Sequence, residues 1–306
     1  MPENNSLLKI LVCYYNAYQM PNLDDKILLP IQAGRAVNPV DLNIQPDNEI
    51  NGQPCDNISS KNDCYSELTG LYWAWKNLRK LYPDIKYVGW SHYRRFFAID
   101  ETKYLIDKIF KPADSIKDYR VNSDKIINIL ESGKIILSKQ VTPSPFSLYV
   151  NYCINHYSED YNALKNIIAS KFPDYYDSFI HVMEDNNKIS LYCMFIMKYD
   201  EFEKYCQWLF AVLNAVEPEI PYKFYKPYQK RVLAFMAERL LNIYIAKNKL
   251  KPHYSNIYYY ETDPAKIESE RPKFFKSLFT LIKNKILFSL YALGPERLRR
   301  IFRRRK

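Results

Sequence analysis

Glycine is scarce in this chain: six residues in 306, at positions 34, 52, 70, 89, 133 and 294, never clustered. That scatter excludes a P-loop or a G-x-G-x-x-G turn, so a bound nucleotide would have to be held without a glycine-rich phosphate cradle. Histidine is rarer still, with His92, His156, His181 and His253 far apart in the chain, and no D-x-D triplet closes a strand. A metal centre has little support from such a set, and a divalent cofactor, Mn or Mg, is left open rather than implied. The six cysteines (13, 55, 64, 153, 193, 206) contain no C-x-x-C pair, and several stand in apolar runs. They are expected to be reduced and buried, acting as small hydrophobes. No basic, apolar, small-residue leader opens the chain, because Met1 to Lys9 is polar and runs into a strand-like segment. The expected compartment is the cytoplasm.

What is present is a chain of 36.5 kDa with 47% hydrophobic and 25% charged residues and 28 tyrosines. It is long enough to bury a substantial core as one large domain or as one domain with an appendage. Neither disorder nor a polytopic membrane protein fits that balance. The net charge of +10 suggests nucleic acid until it is mapped: residues 271–306 hold 12 Lys or Arg against Glu296, a local +11, leaving −1 for the other 270. A near-neutral body argues against a surface that tracks phosphates, so no nucleic-acid partner is expected.

Short apolar runs at Lys9–Tyr15, Lys86–Trp90, Lys134–Ser138 and Ile189–Met197 read as buried strands. Helices are expected between them. The clearest is Asp63–Leu81, with apolar residues at three- and four-residue spacing, a cap at Asn62 and Pro83 just beyond its end. Asn122–Glu131, Asp160–Ser170, Glu201–Val216 and Pro227–Lys247 follow the helical period too. Strands alternating with helices predict an α/β fold whose ligands bind beyond the carboxyl ends of the strands, so the loops after Tyr15, Trp90 and Ser138 are the first places to look. No internal repeat or low-complexity stretch precedes the tail.

Several segments can carry chemistry. CDNISSKN (Cys55–Asn62) sets Asp, Asn, Ser and Lys ahead of a long helix, where backbone N–H groups attract an anion; an overbuilt helix cap is the plainer explanation. GWSHYRRFF (Gly89–Phe97) brings His92, Arg94 and Arg95 together after a strand. In extended backbone His92 and Arg94 share one face and Tyr93 and Arg95 the other. Paired arginines flanked by aromatics suit a diphosphate clamp, against an equal case for arginines held by nearby acids. NHYSED (Asn155–Asp160) spaces His156 and Asp160 four apart, placing a carboxylate that can serve as general base, although acids at helix starts are commonplace. Glu184 and Asp185 are weaker candidates of that kind. Glu238 can pair with Arg231 or Arg239, or reach into a site.

From Arg271 the tail spaces Phe274, Phe275, Leu278, Phe279, Leu281 and Ile282 helically, continues through ILFSLYAL and ends in RLRRIFRRRK. Lys283 and Lys285 interrupt the apolar run well short of the ~20 residues a spanning helix needs. The interleaving predicts a helix lying on an anionic membrane surface, in competition with a solubilising tail or an RNA-binding arm.

Taken together, PIQAG (Pro30–Gly34), DNIS (Asp56–Ser59), Lys61 with Asn62, ELTGLYWAWKN (Glu67–Asn77), YVGWSHYRRFF (Tyr87–Phe97), His156 with Asp160, MFIM (Met194–Met197), YCQWLF (Tyr205–Phe210) and QKRVLAFMAERLLNIY (Gln229–Tyr244) resemble, in order, the domain-of-unknown-function 4422 family. In sugar-transferase classifications this is glycosyltransferase family 111. The likeness spans about residues 8 to 247. It implies a GT-A-like, Rossmann-type nucleotide-sugar-binding domain at 1–250, with 251–270 a linker and 271–306 a helical, basic, membrane-associating appendage.

The implied activity is nucleotide-sugar-dependent hexosyl transfer in capsule, exopolysaccharide, O-antigen or lipopolysaccharide assembly, with UDP-galactofuranose a family donor and inversion at the anomeric carbon. The implied partners are a UDP-sugar, a lipid-linked or oligosaccharide acceptor, and the inner face of the cell membrane. Donor contacts would come from Asp56, Asn57, Ser59, Lys61, Asn62, Glu67, Thr69, His92, Arg94 and Arg95, catalysis from Asp160 and His156, with Gln229, Arg231 and Glu238 as further candidates. HYRR stands where related folds place metal-binding acids, so positive side chains there would replace a metal ion. The chain departs from the family where a histidine and lysine often follow the first strand, having Tyr14, Tyr15 and Asn16, and where Cys193 replaces the usual asparagine before MFIM. A non-catalytic membrane-associated scaffold, or a nucleic-acid-binding protein using the tail, is the alternative.

Overall fold

A computed structural model describes residues 7–23, 26–101, 106–270 and 274–292. Its strands are β1 (Leu8–Tyr14), β2 (Leu28–Gln32), β3 (Gln45–Pro46), β4 (Glu49–Ile50), β5 (Gln53–Pro54), β6 (Tyr87–His92), β7 (Arg95–Phe97), β8 (Lys108–Pro112), β9 (Lys134–Ser138), β10 (Phe195–Lys198), β11 (Lys251–Ser255) and β12 (Ile257–Glu261). Its α-helices are α1 (Asn62–Tyr65), α2 (Leu68–Leu81), α3 (Ser123–Glu131), α4 (Leu148–Asn155), α5 (Ser158–Lys171), α6 (Tyr176–Met183), α7 (Tyr199–Val216), α8 (Pro227–Lys230), α9 (Val232–Lys247), α10 (Pro264–Glu270) and α11 (Phe274–Ala292).

The main sheet runs β11-β9-β10-β6-β1-β2-β3. β10 is antiparallel to both neighbours, while β6, β1, β2 and β3 run parallel. The α/β expectation holds, as a mixed, parallel-rich sheet. β1 and β6 are buried at every position because helices or loops cover both faces, which is why their sequences read as continuous apolar runs. One face of the sheet (Leu11, Val88, Trp90, Phe195) packs on α2, α5, α6, α7 and α9. The other (Ile10, Val12, Ile136, Ile196) packs on Phe96, Tyr119, Ile126 and Leu130. Gly89 lies where three strands meet tightly: a Cβ there would come within 2.9 Å of Ile10 and 3.1 Å of Ile196.

Four expected elements differ. The helix from Asp63 breaks at Ser66, whose φ of 49° ends α1, and Asn62 is not a cap but the first residue of α1, donating to the Ser66 carbonyl oxygen at 2.7 Å. The strand expected over Ile189–Met197 is confined to β10, because Tyr192 and Cys193 adopt φ of 72° and 51° and cannot extend. Pro227–Lys247 is two helices meeting at Arg231. The expected linker 251–270 instead holds β11, β12 and α10; β11 pairs with β9, and β12 with β7 and β8. In α11, Phe279, Ile282 and Ile286 are exposed, and no described helix is long and apolar enough to cross a membrane. The terminal RLRRIFRRRK lies outside the described residues.

Candidate active site

The parallel strands β1, β2 and β6 end on the same side, and there a cavity of about 1380 Å³ opens. The loops expected from the strand order contribute: Tyr15–Tyr18 after β1, Tyr93–Arg95 after β6, and Pro143 beyond β9. Five cations (Arg94, Arg95, Lys230, Arg231, Arg239) and three acids (Asp63, Glu67, Glu238) line it, so its walls favour an anionic ligand.

HYRR does not stay extended. His92 ends β6 and pairs with Arg95 at the start of β7, so Tyr93 and Arg94 form a two-residue turn. The expected face alternation is lost, and all four residues line the cavity. The Arg95 guanidinium lies 4.3 Å from the Tyr192 ring centre and 5.1 Å from Tyr259; that of Arg94 is 4.9 Å from Tyr259 and 4.0 Å from Glu261. Both Nε atoms are buried without a protein partner among the described residues. Aromatic faces thus hold the two planar groups while leaving hydrogen-bonding capacity for a ligand.

His92 is buried, and burial pushes its pKa below the usual histidine range despite the nearby Glu67 carboxylate. Its Nε2 donates to the Tyr192 carbonyl oxygen at 2.6 Å, which fixes the tautomer, since a carbonyl can only accept. The Tyr192 N–H donates to Glu238 Oε1 at 2.6 Å, and Arg239 Nη1 donates to Glu238 Oε2 at 2.8 Å. Tyr192 is therefore a keystone whose left-handed backbone ties His92 to Glu238 while its ring supports Arg95. Cys193 follows with a φ of 51°, a backbone conformation uncommon outside glycine.

Glu67 projects from the break between α1 and α2. Arg231 Nη2 lies 3.5 Å from its Oε2, and Arg231 Nε donates to Ser66 Oγ at 2.9 Å. Both Glu238 oxygens are engaged and Asp63 is exposed, whereas Glu67 is half-buried with one oxygen, Oε2, facing Arg231.

His156 lines the cavity at the end of α4. Gln229 Nε2 donates to the Asn155 carbonyl oxygen at 2.8 Å, which orients the amide and leaves Gln229 Oε1 to accept from His156 Nδ1 at 3.0 Å. Burial lowers the His156 pKa to about 4. It is neutral near pH 7, with Nε2 as an acceptor. Asp160 does not line the cavity: it is 2% exposed on α5 and accepts from the Tyr225 hydroxyl at 2.7 Å, and burial raises its pKa to about 6.

The polar loop ahead of α1 spends its groups on the fold. Asp47, fully buried, accepts from the Gly34 and Arg35 N–H groups and from Ser59 Oγ, locking PIQAG to DNIS. Asn57 Oδ1 accepts from the Ser59 N–H, Asp56 holds Tyr72 and Asn77, and Lys61 pairs with Glu217 at 2.8 Å. Thr69 is buried beneath Gly34 and Asn62. Of this group, Asn62 and Glu67 reach the cavity, and Asp56, Asn57, Ser59, Lys61 and Thr69 do not. Asp47 and Tyr192 carry no signature in the sequence, where Ile189–Met197 reads as one uninterrupted strand.

A divalent ion does not fit the turn after β6, because guanidinium groups donate and cannot ligate a cation. Among the described residues no group of three or more His, Cys, Asp and Glu is placed to hold one.

A solved apo structure of the bifunctional glycosyltransferase WbbM is similar to this chain, with a TM-score of 0.70 and 27% identity, covering 83% of this chain. The chain spans 45% of that protein's length. No match is found among curated proteins. The family model for the domain of unknown function DUF4422 matches residues 9–249, a span that includes all of β1 but its first residue, the HYRR turn and the whole of α9, and the chain belongs to that family.

Proposed function

We propose that the chain is a glycosyltransferase of GT-A type that moves a hexose from a nucleoside diphosphate donor, a UDP-sugar such as UDP-galactofuranose, onto a growing bacterial surface glycan. The observation that carries this is the cationic cavity at the carboxyl ends of β1, β2 and β6, with two stacked, ligand-ready arginines at the β6–β7 turn. The similarity to a glycosyltransferase structure supports it. Arg94 and Arg95 would bind the diphosphate and stabilise the departing nucleotide, the task a metal ion performs elsewhere. The loop Tyr15–Tyr18, at the end of β1, would take the nucleoside.

Transfer with inversion requires that an acceptor hydroxyl attack the anomeric carbon as the bond from that carbon to the phosphate oxygen breaks. The hydroxyl proton goes to a base and the bonding electrons leave with the nucleoside diphosphate. Glu67 is our choice of base, since Asp160 is turned to Tyr225 away from the cavity. The exposed apolar side chains of α11, with the basic residues that follow in sequence, would hold the enzyme on an anionic membrane where a lipid-linked acceptor resides.

Thermal-shift titration with UDP-, GDP- and dTDP-sugars, with and without manganese, followed by a transfer assay, tests the proposal. Stabilisation by at least one donor is expected. No response to any of them would overturn it.

A further inference from the structure

We infer that the part of the cavity lined by α4, α8 and the start of α9 is a subsite for a sugar ring of the acceptor, built as an aromatic platform edged with amides. This rests on the proposed function, because it assigns the acceptor half of the same cavity. A cavity of about 1380 Å³ exceeds the roughly 300–1,000 Å³ typical of a single small-ligand pocket, leaving room beyond one nucleotide sugar.

The two sets of lining residues differ in chemistry. Around β1, β6 and β7 stand the arginine pair and His92. Along α4, α8 and α9, His156 stacks on Phe235 with ring centres 4.1 Å apart and planes at 25°, and Tyr228 borders the pair, tilted by 42° at 5.2 Å from Phe235 and near-parallel to His156 at 6.3 Å. Tyr228 is 59% exposed although it lines the cavity, so an aromatic surface is open to a ligand. The C–H bonds of a sugar ring carry partial positive charge and settle on the negative face of such rings.

Hydroxyl partners flank the platform. The neutral His156 offers Nε2 as an acceptor, with its ring oriented by Gln229. The Asn151 side chain lines the cavity with no partner among the described residues and can both donate and accept. Arg231 and Arg239 are matched by Glu67 and Glu238, which leaves Lys230 as the one unmatched cation of this part among the described residues, so it is less cationic than the arginine turn and the class of ligand favoured is a neutral sugar rather than a second diphosphate.

The test is saturation-transfer NMR of the full chain with n-octyl glycosides of galactose, glucose, mannose and N-acetylglucosamine, each with and without saturating UDP, together with UDP affinity measured by calorimetry. At least one glycoside is expected to bind. Tyr228→Ala and Asn151→Ala should each weaken that binding at least fivefold while UDP affinity changes less than twofold. Equal glycoside binding by both variants, or no binding of any glycoside by the parent chain, would overturn the assignment. Failure of UDP to bind, with glycoside binding lost as expected in the variants, would instead defeat the donor reading and leave a sugar-binding site.

Discussion

Arg95→Ala is the sharpest perturbation of the proposed donor site. The native guanidinium rests on the Tyr192 and Tyr259 rings and is engaged in no hydrogen bond or ion pair with the protein among the described residues. Its removal breaks nothing polar in the fold and acts on the ligand. A hydrogen bond to a charged group contributes about 1.5–3 kcal/mol, so the dissociation constant for UDP should rise roughly ten- to hundredfold. Arg95→Lys keeps the charge but loses the planar fork and the stacking, and should recover less than half of the lost free energy. Arg94→Ala should behave similarly. Calorimetric titration at low ionic strength measures the affinities, with circular-dichroism melting as the control for folding. A folded Arg95→Ala protein that binds UDP within twofold of the parent would refute the clamp.

Four further outcomes are expected. Glu67→Gln should lower turnover by about 10²–10⁴-fold with little change in UDP affinity, as befits a general base; steady-state rates beside calorimetry separate the two effects. Asp160→Asn should leave turnover nearly intact and raise stability. A carboxyl whose folded pKa is raised to about 6 gives stability that is present at low pH and lost as pH rises through that value, so the variant's advantage should be nearly absent at pH 4 and about 1–3 kcal/mol at pH 7.5 by urea unfolding. His156, which titrates in the opposite sense, is common to both proteins and cancels in that difference. Gly89→Ala should cost about 1–3 kcal/mol, since its methyl would meet Ile10 on one side and Ile196 on the other; an unchanged melting temperature would show that the three strands give way freely. Deleting residues 271–306 should release the protein from phosphatidylserine vesicles and leave UDP binding unchanged; loss of nucleotide binding in a folded truncation would contradict the separation of tail and site.

Four strands, β1, β6, β9 and part of the run that holds β10, and the larger helices were legible because their burial is local in origin. β1 and β9 reproduce their expected spans almost residue for residue, as their apolar runs are covered on both faces. Where a backbone leaves the regular path at a non-glycine residue, the sequence is silent: Ser66, Tyr192 and Cys193 adopt left-handed φ only because surrounding contacts demand it. Ser66 holds Asn62 and Arg231, while Tyr192 holds His92 and Glu238. β11 and β12 are not legible in the sequence because their partners, β9 and β7, are more than a hundred residues away, and pairing of that kind has no local signature.

The sequence by itself determined the α/β class, the carboxyl-end location of the cavity and the arginine pair, since strand periodicity and residue chemistry are properties of short segments. Only the tertiary structure decided which polar residues face the cavity. It turned Asp56, Asn57, Ser59, Lys61 and Asp160 to partners within the protein and left Glu67, Arg94, Arg95 and His156 on the cavity wall. A carboxylate or an amide has the same formula in either role, and what separates the two is whether the fold has already supplied its hydrogen-bond partner.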